Sequence, residues 1–142
     1  MSTEQNKAIA RRLNQAFDTN DQATLNELLA PDLKAYFPGI PTPLNRDALL
    51  QVVSQFAAAF TDNQTTTDDQ IAEGDKVMTR LTWRAVHSGD FQGIPATGKQ
   101  IEVTGVAIER IQKGKIVEHW SNLDQMSLMQ QLGVIPVPGQ GG

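Results

Sequence analysis

The fold is decided by the stretch Ile71-Ala72-Glu73-Gly74-Asp75-Lys76-Val77, which joins two β-rich runs of the chain. A Gly-Asp pair between two such runs is typical of a tight hairpin turn. We therefore predict one strand over about residues 64–72 and a longer strand over about residues 77–88. Alternation along the longer strand places Trp83 and His87 on its more apolar face.

The chain continues as sheet after this hairpin. A loop over residues 89–98 is followed by predicted strands over about residues 101–111 and 116–123, and then by a short helix over about residues 125–132. Strands in series that are joined by short turns form a curved antiparallel sheet.

The part of the chain before the hairpin is predicted as three helices, each preceded by a capping residue: Ser2, Asp21 and Asn45. We expect Pro31 to stop the second helix, before a short extended piece over residues 32–37. Helices followed by strands predict an α+β fold with the helices packed on the concave face of the sheet. The resulting cone is either filled with side chains or kept as a pocket.

The composition limits the kind of protein this is. The length of 142 residues predicts a single domain, over residues 1–133, with a flexible Pro/Gly-rich tail over residues 134–142. The absence of cysteine excludes disulfides, zinc–thiolate sites and cysteine nucleophiles. A formal net charge of −4, without a cluster of basic residues, argues against a nucleic-acid partner.

Two further observations predict a cytoplasmic protein without a membrane partner. No stretch approaches the roughly 20 apolar residues that span a bilayer. The polar start, Met1-Ser2-Thr3-Glu4-Gln5, lacks the pattern of a signal peptide.

The sequence also lacks the motifs of several reaction classes. It has no phosphate-cradling glycine loop, no H-E-x-x-H pattern and no nucleophile elbow. Its two histidines and scattered carboxylates have no metal-ligand spacing, so we predict no metal site. Phosphoryl transfer, metallohydrolysis and serine hydrolysis are disfavoured.

Three motifs in the second half of the chain carry a family resemblance. The first is the hairpin Ile71–Val77. The second is His87–Lys99, which follows the pattern H-x-G-x-F-x-G-I-P-x-T-G-K, and the third runs from Gly114-Lys115-Ile116-Val117-Glu118-His119-Trp120 through Asp124 to Gln131-Leu132-Gly133. In this order and spacing they resemble the SnoaL-like polyketide cyclases, a branch of the nuclear-transport-factor-2-like fold.

The resemblance implies an α+β cone with an internal pocket, a homodimer or higher homo-oligomer, and chemistry without a cofactor. It further implies that Asp124 is a general acid/base that removes a proton next to a carbonyl, so that the enolate closes a ring in an intramolecular aldol reaction. The fold also hosts epoxide hydrolases with an Arg-x-Asp pair. Here Thr82 and Val86 follow Arg80 and Arg84 at that spacing, which disfavours that chemistry.

Asp124 allows two interpretations from the residues alone. Alternation places it on the same side of the last strand as Trp120, and a carboxylate beside an indole inside the cone would lose solvent, which raises its pKa into a useful range. Alternatively, Asp124 caps the C-terminal helix.

The two histidines are expected to differ. His87 shares a face with Trp83, and the residues alone favour a histidine at the edge of the core that is bonded to backbone. The family resemblance implies instead that His87 lines the pocket, and we predict it as a second catalytic group. His119 alternates away from Trp120 and is predicted to be a surface or interface residue; the alternative, a dyad of His119 with Asp124, would need the strand to bulge. Glu118 is expected to be buried with Arg80 or Arg84 as its partner.

Aromatic and apolar side chains are predicted to bind the substrate. They are Tyr36, Phe56, Trp83, Phe91, Ile94 and Trp120. The loop from Phe91 to Thr97 is either a lid over an apolar ligand or a hairpin tip packed on its own subunit or on its dimer mate.

Three functions remain open at this point. The first is an enzyme in which Asp124 shuttles a proton on a small apolar carbonyl compound, in a cyclisation or an isomerisation. The second is a non-catalytic carrier of a small apolar molecule, in which Asp124 only caps a helix. The third is a structural dimer with a filled cone.

Overall fold

The computed structural model describes residues 2–136, which form a sheet with helices on one face. Its elements, in chain order, are α1 (Thr3–Thr19), α2 (Gln22–Leu28), β1 (Leu29–Tyr36), α3 (Arg46–Ala59), β2 (Phe60–Glu73), β3 (Lys76–His87), β4 (Gln100–Gln112), β5 (Lys115–Leu123) and α4 (Gln125–Gln131). None of the helices in this part of the chain is both long enough and apolar enough to cross a membrane.

The predicted helix starts are confirmed. Ser2 and Gln5 form a capping box at α1, while Asp21 and Asn45 accept hydrogen bonds from the backbone amides of Thr24 and Ala48 at α2 and α3. Each cap satisfies amide groups that the first turn of a helix leaves without partners.

The sheet has the strand order β1-β5-β4-β3-β2. Each of the strands β2 to β5 pairs antiparallel with the next strand in the chain. Strand β1 lies at one edge of the sheet and pairs parallel with β5. The sheet is curved and does not close into a barrel, so the predicted α+β fold class is confirmed. Gly74, at a φ of 60°, makes the predicted turn between β2 and β3.

Two predicted boundaries are wrong. Helix α2 ends at Leu28, and Pro31 lies inside β1 rather than after the helix. A proline is tolerated there because β1 is an edge strand. Strand β2 begins at Phe60 instead of about residue 64, and it contains an irregularity in pairing between Thr61 and Gln64.

The two faces of the sheet differ in burial. The face toward α1 and α3, which we call the inner face, carries the buried residues of β3 and β4, such as Leu81, Trp83 and Val103. The other face, the outer face, carries mostly polar and charged residues with several exposed apolar ones.

A bulge in β5 changes which of its residues face inward. Ile111 pairs with Ile116, but Arg110 pairs with Glu118, so Val117 is an extra residue in the ladder. One extra residue moves every later side chain to the opposite face. As a result Ile116 is buried on the inner face, and His119, rather than Trp120, follows it there.

The predicted flexible tail, residues 134–142, lies mostly outside the described residues and stays a prediction.

Candidate functional site

A central pocket lies between the inner face of the sheet and the helices α1 and α3. Its volume is about 150 Å³, and it is partly open to solvent. An engineered cavity of about 150 Å³ takes benzene, so this hollow fits a small ring without rearrangement. Most of its wall is apolar; the polar lining residues are Asn14, Asp18, Asn63, Thr65, His119 and Ser121.

His119 is the titratable ring on the pocket wall. Its Nδ1 atom lies 2.9 Å from Oε2 of Glu109 on the neighbouring strand, and the two side chains are only 3% and 2% exposed. With Glu109 as a carboxylate, which only accepts hydrogen bonds, the neutral ring donates Nδ1–H to it and keeps its lone pair on Nε2. Among the described residues, none bonds to Nε2.

Two phenylalanines fix the His119 ring. Phe17 meets it edge-on at 5.9 Å between ring centroids, and Phe37 lies tilted at 5.7 Å. Both phenylalanines also line the central pocket. The apolar surroundings keep water from the Glu109 carboxylate, so His119 is its hydrogen-bond partner in place of solvent.

The prediction that His119 is a surface or interface residue is therefore wrong. Its physical cause is the bulge at Val117, which turns His119 inward and Trp120 outward. Counting back from the Lys113-Gly114 turn without a bulge would have placed Glu118 opposite Glu109. This buried pair is the part of the site that sequence reasoning missed.

Helix α1 contributes two polar residues to the same pocket. Asn14 and Asp18 are four positions apart, so they lie on one face of the helix. Asn14 is 7% exposed, and its Nδ2 atom is buried without a hydrogen-bond partner among the described residues. Their signal was present in the sequence, since they directly follow Leu13 and Phe17 of the apolar stripe and therefore lie along its edge.

The Asp18 carboxyl is held by strand β2. The Thr65 backbone amide donates to Oδ2 and the Thr65 hydroxyl donates to Oδ1, each at 2.7 Å. Burial raises the pKa of Asp18 above its usual value, and the two hydrogen bonds from Thr65 oppose that shift.

Asp124 does not lie inside the cone, where its carboxylate would lose solvent. Its side chain is exposed, lies outside the pocket lining and accepts a hydrogen bond of 3.0 Å from the amide of Ser127, as the N-cap of α4. The expectation that it loses solvent beside Trp120 is wrong, because both residues follow the bulge on the outward side. The capping interpretation is confirmed, while a catalytic role for Asp124 stays a prediction.

His87 is fully buried, but it is not part of the pocket lining. Its Nδ1 atom accepts a hydrogen bond of 3.2 Å from the amide of Thr97 and lies 2.9 Å from the Thr97 hydroxyl. The placement in the pocket wall is wrong because β3 carries His87 past the end of the pocket, to the loop over residues 88–99. The structure matches the alternative, a core histidine bonded to backbone.

The six predicted binding residues separate into three groups. Phe56 and Trp83 line the central pocket. Phe91 and Ile94 do not; Phe91 is buried against Phe56 at 5.3 Å between centroids, and it supports the pocket wall from behind. Their loop therefore packs on its own subunit.

Tyr36 and Trp120 form the third group. They stack on each other at 5.6 Å on the outer face, so their predicted place in the pocket is wrong. Glu118 shares this face; it is half-buried and pairs with Arg110 at 2.6 Å instead of with Arg80 or Arg84. The cause is again the bulge, which turned this part of β5 away from the core.

Comparisons with known proteins agree with this architecture. The model of the SnoaL-like polyketide cyclase family matches residues 7–132. The structure of IdmH from Streptomyces antibioticus, a candidate polyketide cyclase, is 36% identical, with a TM-score of 0.83 over 91% of this chain and 99% of that one. Among curated proteins, none matches this sequence.

Two other solved structures are similar at lower identity. AclR from Streptomyces galilaeus, a candidate hydroxylase, is 27% identical with a TM-score of 0.86, over 95% of this chain and 100% of that one. A candidate polyketide cyclase from Acidithiobacillus ferrooxidans is 27% identical with a TM-score of 0.82, over 94% and 98%.

The fold and the pocket define a cone-shaped α+β protein with a small, mostly apolar pocket. The chain belongs to the SnoaL-like polyketide cyclase family.

Proposed function

We propose that this protein is a cofactor-free enzyme that moves a proton on a small, mostly apolar carbonyl compound, in an intramolecular aldol-type cyclisation or an isomerisation. Family membership supports a cyclase- or isomerase-type role in general. The observation that carries the proposal is His119, which lines the central pocket and is paired with the buried Glu109.

In this mechanism His119 is the general base. Nε2 takes a proton from the carbon next to the substrate carbonyl, which leaves an enolate and a protonated imidazole. The Glu109 carboxylate, 2.9 Å from Nδ1, stabilises the positive charge that forms on the ring. Nε2 then returns the proton, to another carbon in an isomerisation or to the new alkoxide after ring closure.

The enolate oxygen needs a hydrogen-bond donor in a pocket that is otherwise apolar. The Asn14 amide supports this role, because its Nδ2 atom is buried and has no partner among the described residues. Asp18 lies beside it on the same wall, with its carboxyl held by the two hydrogen bonds from Thr65. Both residues lie on α1, so one helix positions the oxygen-binding side of the pocket.

The sequence-based mechanism differs from this one in the residue that carries the proton. Asp124, exposed at the start of α4, and His87, bonded to Thr97, lack direct access to the central pocket. We therefore assign the base to His119 and keep Asp124 and His87 as alternatives for the same assay. The cytoplasmic location stays a prediction.

A second candidate is a non-catalytic carrier of a small apolar molecule. The capping role of Asp124 favours it, because the residue that the family resemblance makes catalytic then has a purely structural explanation. The two candidates share a pocket but differ in what leaves it: a carrier returns its ligand chemically unaltered.

The test uses a β,γ-unsaturated cyclohexenone, a ring of about the size that the pocket holds. Proton transfer from the α-carbon to the γ-carbon gives the conjugated ketone, which absorbs in the ultraviolet. We expect wild-type protein to accelerate this conversion and His119→Gln to lose about 100-fold or more of kcat. Binding without conversion would support the carrier and contradict the enzyme.

A further inference from the structure

Four aromatic rings form one cluster between α3 and the loop that joins β3 to β4. Phe56 lies 5.3 Å from Phe91 and 5.9 Å from Trp83, measured between ring centroids. Phe60 lies 5.1 Å and 4.9 Å from the same two rings. Phe56 and Trp83 line the central pocket, whereas Phe60 and Phe91 lie outside its lining. This aromatic cluster therefore has a front layer that faces the pocket and a back layer that supports it.

The two front rings differ in how firmly they are held. The Trp83 indole is buried and donates a hydrogen bond of 2.9 Å to Asn63, which fixes its orientation. Phe56 is only half-buried, and a phenylalanine ring has no polar atom that could fix it in the same way. Phe56 is thus the movable part of this wall, and its position depends on the rings packed behind it.

Hydrogen bonds tie both ends of the loop between β3 and β4 to the core. At its start, the amides of Ser88 and Gly89 both donate to the Ala59 carbonyl at 3.0 Å. At its end, the Thr97 amide donates to Nδ1 of the buried His87 at 3.2 Å. The buried histidine outside the pocket thereby serves to hold this loop in place.

The tip of the loop is held by its own backbone. Phe91 and Ile94 exchange two backbone hydrogen bonds, of 2.9 Å and 2.8 Å. The Phe91 side chain is nevertheless only 6% exposed, because the loop directs it into the aromatic cluster. Since none of these bonds involves the Phe91 ring, removal of the ring leaves a void instead of a collapsed loop.

We propose that Phe91 determines the size of the compound that the central pocket accepts. Its ring holds Phe56 toward the pocket and so limits the ligand to a single ring. Phe91 is a positioning residue, because it acts through Phe56 without lining the pocket itself. The inference rests on the proposed function in one respect: the compound that Phe91 selects is the substrate of that reaction.

The size of the effect follows from what the Phe91 side chain occupies. Phe91→Ala removes six ring carbons, so the vacated space has the dimensions of one more aromatic ring. Phe56 then moves back into this space, and the pocket of about 150 Å³ gains room for a second, fused ring. A close-packed wall that cannot yield excludes that ring.

The experiment measures the affinities of phenol and 2-naphthol by isothermal titration calorimetry. Wild-type protein is expected to bind phenol more tightly than 2-naphthol. In Phe91→Ala the ratio of the phenol Kd to the 2-naphthol Kd is expected to rise about 10-fold or more, as the second ring is admitted. Loss of packing alone would not change this ratio in favour of the larger compound.

Leu132→Ala is the matched control. Leu132 is 4% exposed and belongs to the same buried apolar cluster as Phe91, but it does not line the pocket. Its truncation also creates a cavity, so it loses stability in the same way, and the Kd ratio is expected to stay within about 3-fold of wild type. Phe91→Leu is a milder second variant, with a change in the ratio between those of wild type and Phe91→Ala. Urea denaturation establishes that each variant is folded.

Each outcome decides the proposal. A Kd ratio that shifts in Phe91→Ala or Phe91→Leu and not in Leu132→Ala supports it. Equal ratios in all variants overturn it, as does a wild-type protein that already prefers 2-naphthol or binds neither compound.

The calorimetric test needs no turnover, so it separates this proposal from the proposed function. A shifted Kd ratio without conversion of the cyclohexenone by wild-type protein supports size selection by Phe91 and contradicts the enzyme. Conversion with an unchanged ratio supports the enzyme and overturns the role of Phe91.

Discussion

The Glu109 carboxylate and the His119 imidazole meet across β4 and β5 at 2.9 Å, in a region from which bulk water is shut out. Burying a polar pair costs free energy that an apolar pair in the same place would not. The pair adjoins the central pocket, and its orientation leaves Nε2 unbound.

Glu109→Gln tests the positioning role of the carboxylate. The glutamine oxygen still accepts from Nδ1–H, so His119 keeps its orientation, but the charge that stabilises the protonated ring is gone. We expect kcat for the cyclohexenone to fall about 10-fold or more, with KM nearly unchanged. An equal rise in KM would indicate that Glu109 shapes the pocket instead.

Glu109→Ala provides the stability comparison. It leaves the buried Nδ1–H without a partner, which costs about 1–3 kcal/mol in the free energy of unfolding. Chemical denaturation of the two variants should therefore rank Glu109→Ala below Glu109→Gln. The reverse ranking would mean that the hydrogen bond does not contribute to stability.

The raised pKa of Asp18 predicts how the stability of the protein changes with pH. Because burial raises its pKa in the folded protein, the folded state binds the proton more tightly than the unfolded chain. The contribution is full below the pKa of the unfolded carboxyl and is lost as pH rises through the raised pKa. The free energy of unfolding of wild type, relative to Asp18→Asn, should therefore fall from acid toward neutral pH.

Asp75 is the control of opposite sign. A hydrogen bond from Gln112, followed by the interaction with Arg110, lowers the pKa of Asp75. Its contribution is present above the unfolded pKa and is lost as pH falls through the lowered one. Relative to Asp75→Asn, wild type should lose stability as pH falls. If the stability of wild type changed with pH in the same direction relative to Asp18→Asn, the raised pKa of Asp18 would be contradicted.

The two tryptophans give a spectroscopic test of where ligands bind. Trp83 lines the central pocket and donates a hydrogen bond of 2.9 Å to Asn63, whereas Trp120 lies on the outer face. A phenol, as a mimic of an enolate in a ring of suitable size, should quench fluorescence in Trp120→Phe and not in Trp83→Phe. The opposite result would place the binding site on the outer face.

Gly89 tests how the loop after β3 is tied to the core. Its amide donates to the Ala59 carbonyl at 3.0 Å, and a Cβ at this position would overlap the carbonyl oxygen of Ala58. Gly89→Ala should cost about 1–3 kcal/mol in the free energy of unfolding. The neighbouring exposed Ser88→Ala should change it by less than about 0.5 kcal/mol, and equal effects would contradict this packing.

Much of the fold could be predicted because local chemistry specifies it. The caps Ser2, Asp21 and Asn45 and the Gly74-Asp75 turn act over three or four residues, so their signals are readable in order along the chain. The helix-then-strand order then restricts the architecture to α+β. Some boundaries, such as the start of β2 at Phe60, could not be predicted from local signals because they depend on how the strands pack.

The site was less predictable because one bulge determines it. Alternation from Ile116 assigns Trp120 to the interior of the fold. The residues around Val117 contain no sequence signal for the bulge that reverses this assignment. The bulge is set by pairing between strands, which is a tertiary feature. Asn14 and Asp18 on α1 could have been noticed in the sequence as polar residues beside an apolar stripe. Their role in the pocket could be predicted only once the surface that they face was known.

The most direct test of the account compares His119→Gln with Asp124→Asn in the cyclohexenone assay. Asparagine retains the helix cap, and glutamine can still donate to Glu109, so circular dichroism should show both variants folded. We predict that His119→Gln loses about 100-fold or more of kcat and that Asp124→Asn stays within about 3-fold of wild type. Full activity in His119→Gln, together with loss in Asp124→Asn, would contradict the assignment of the proton transfer to the pocket histidine.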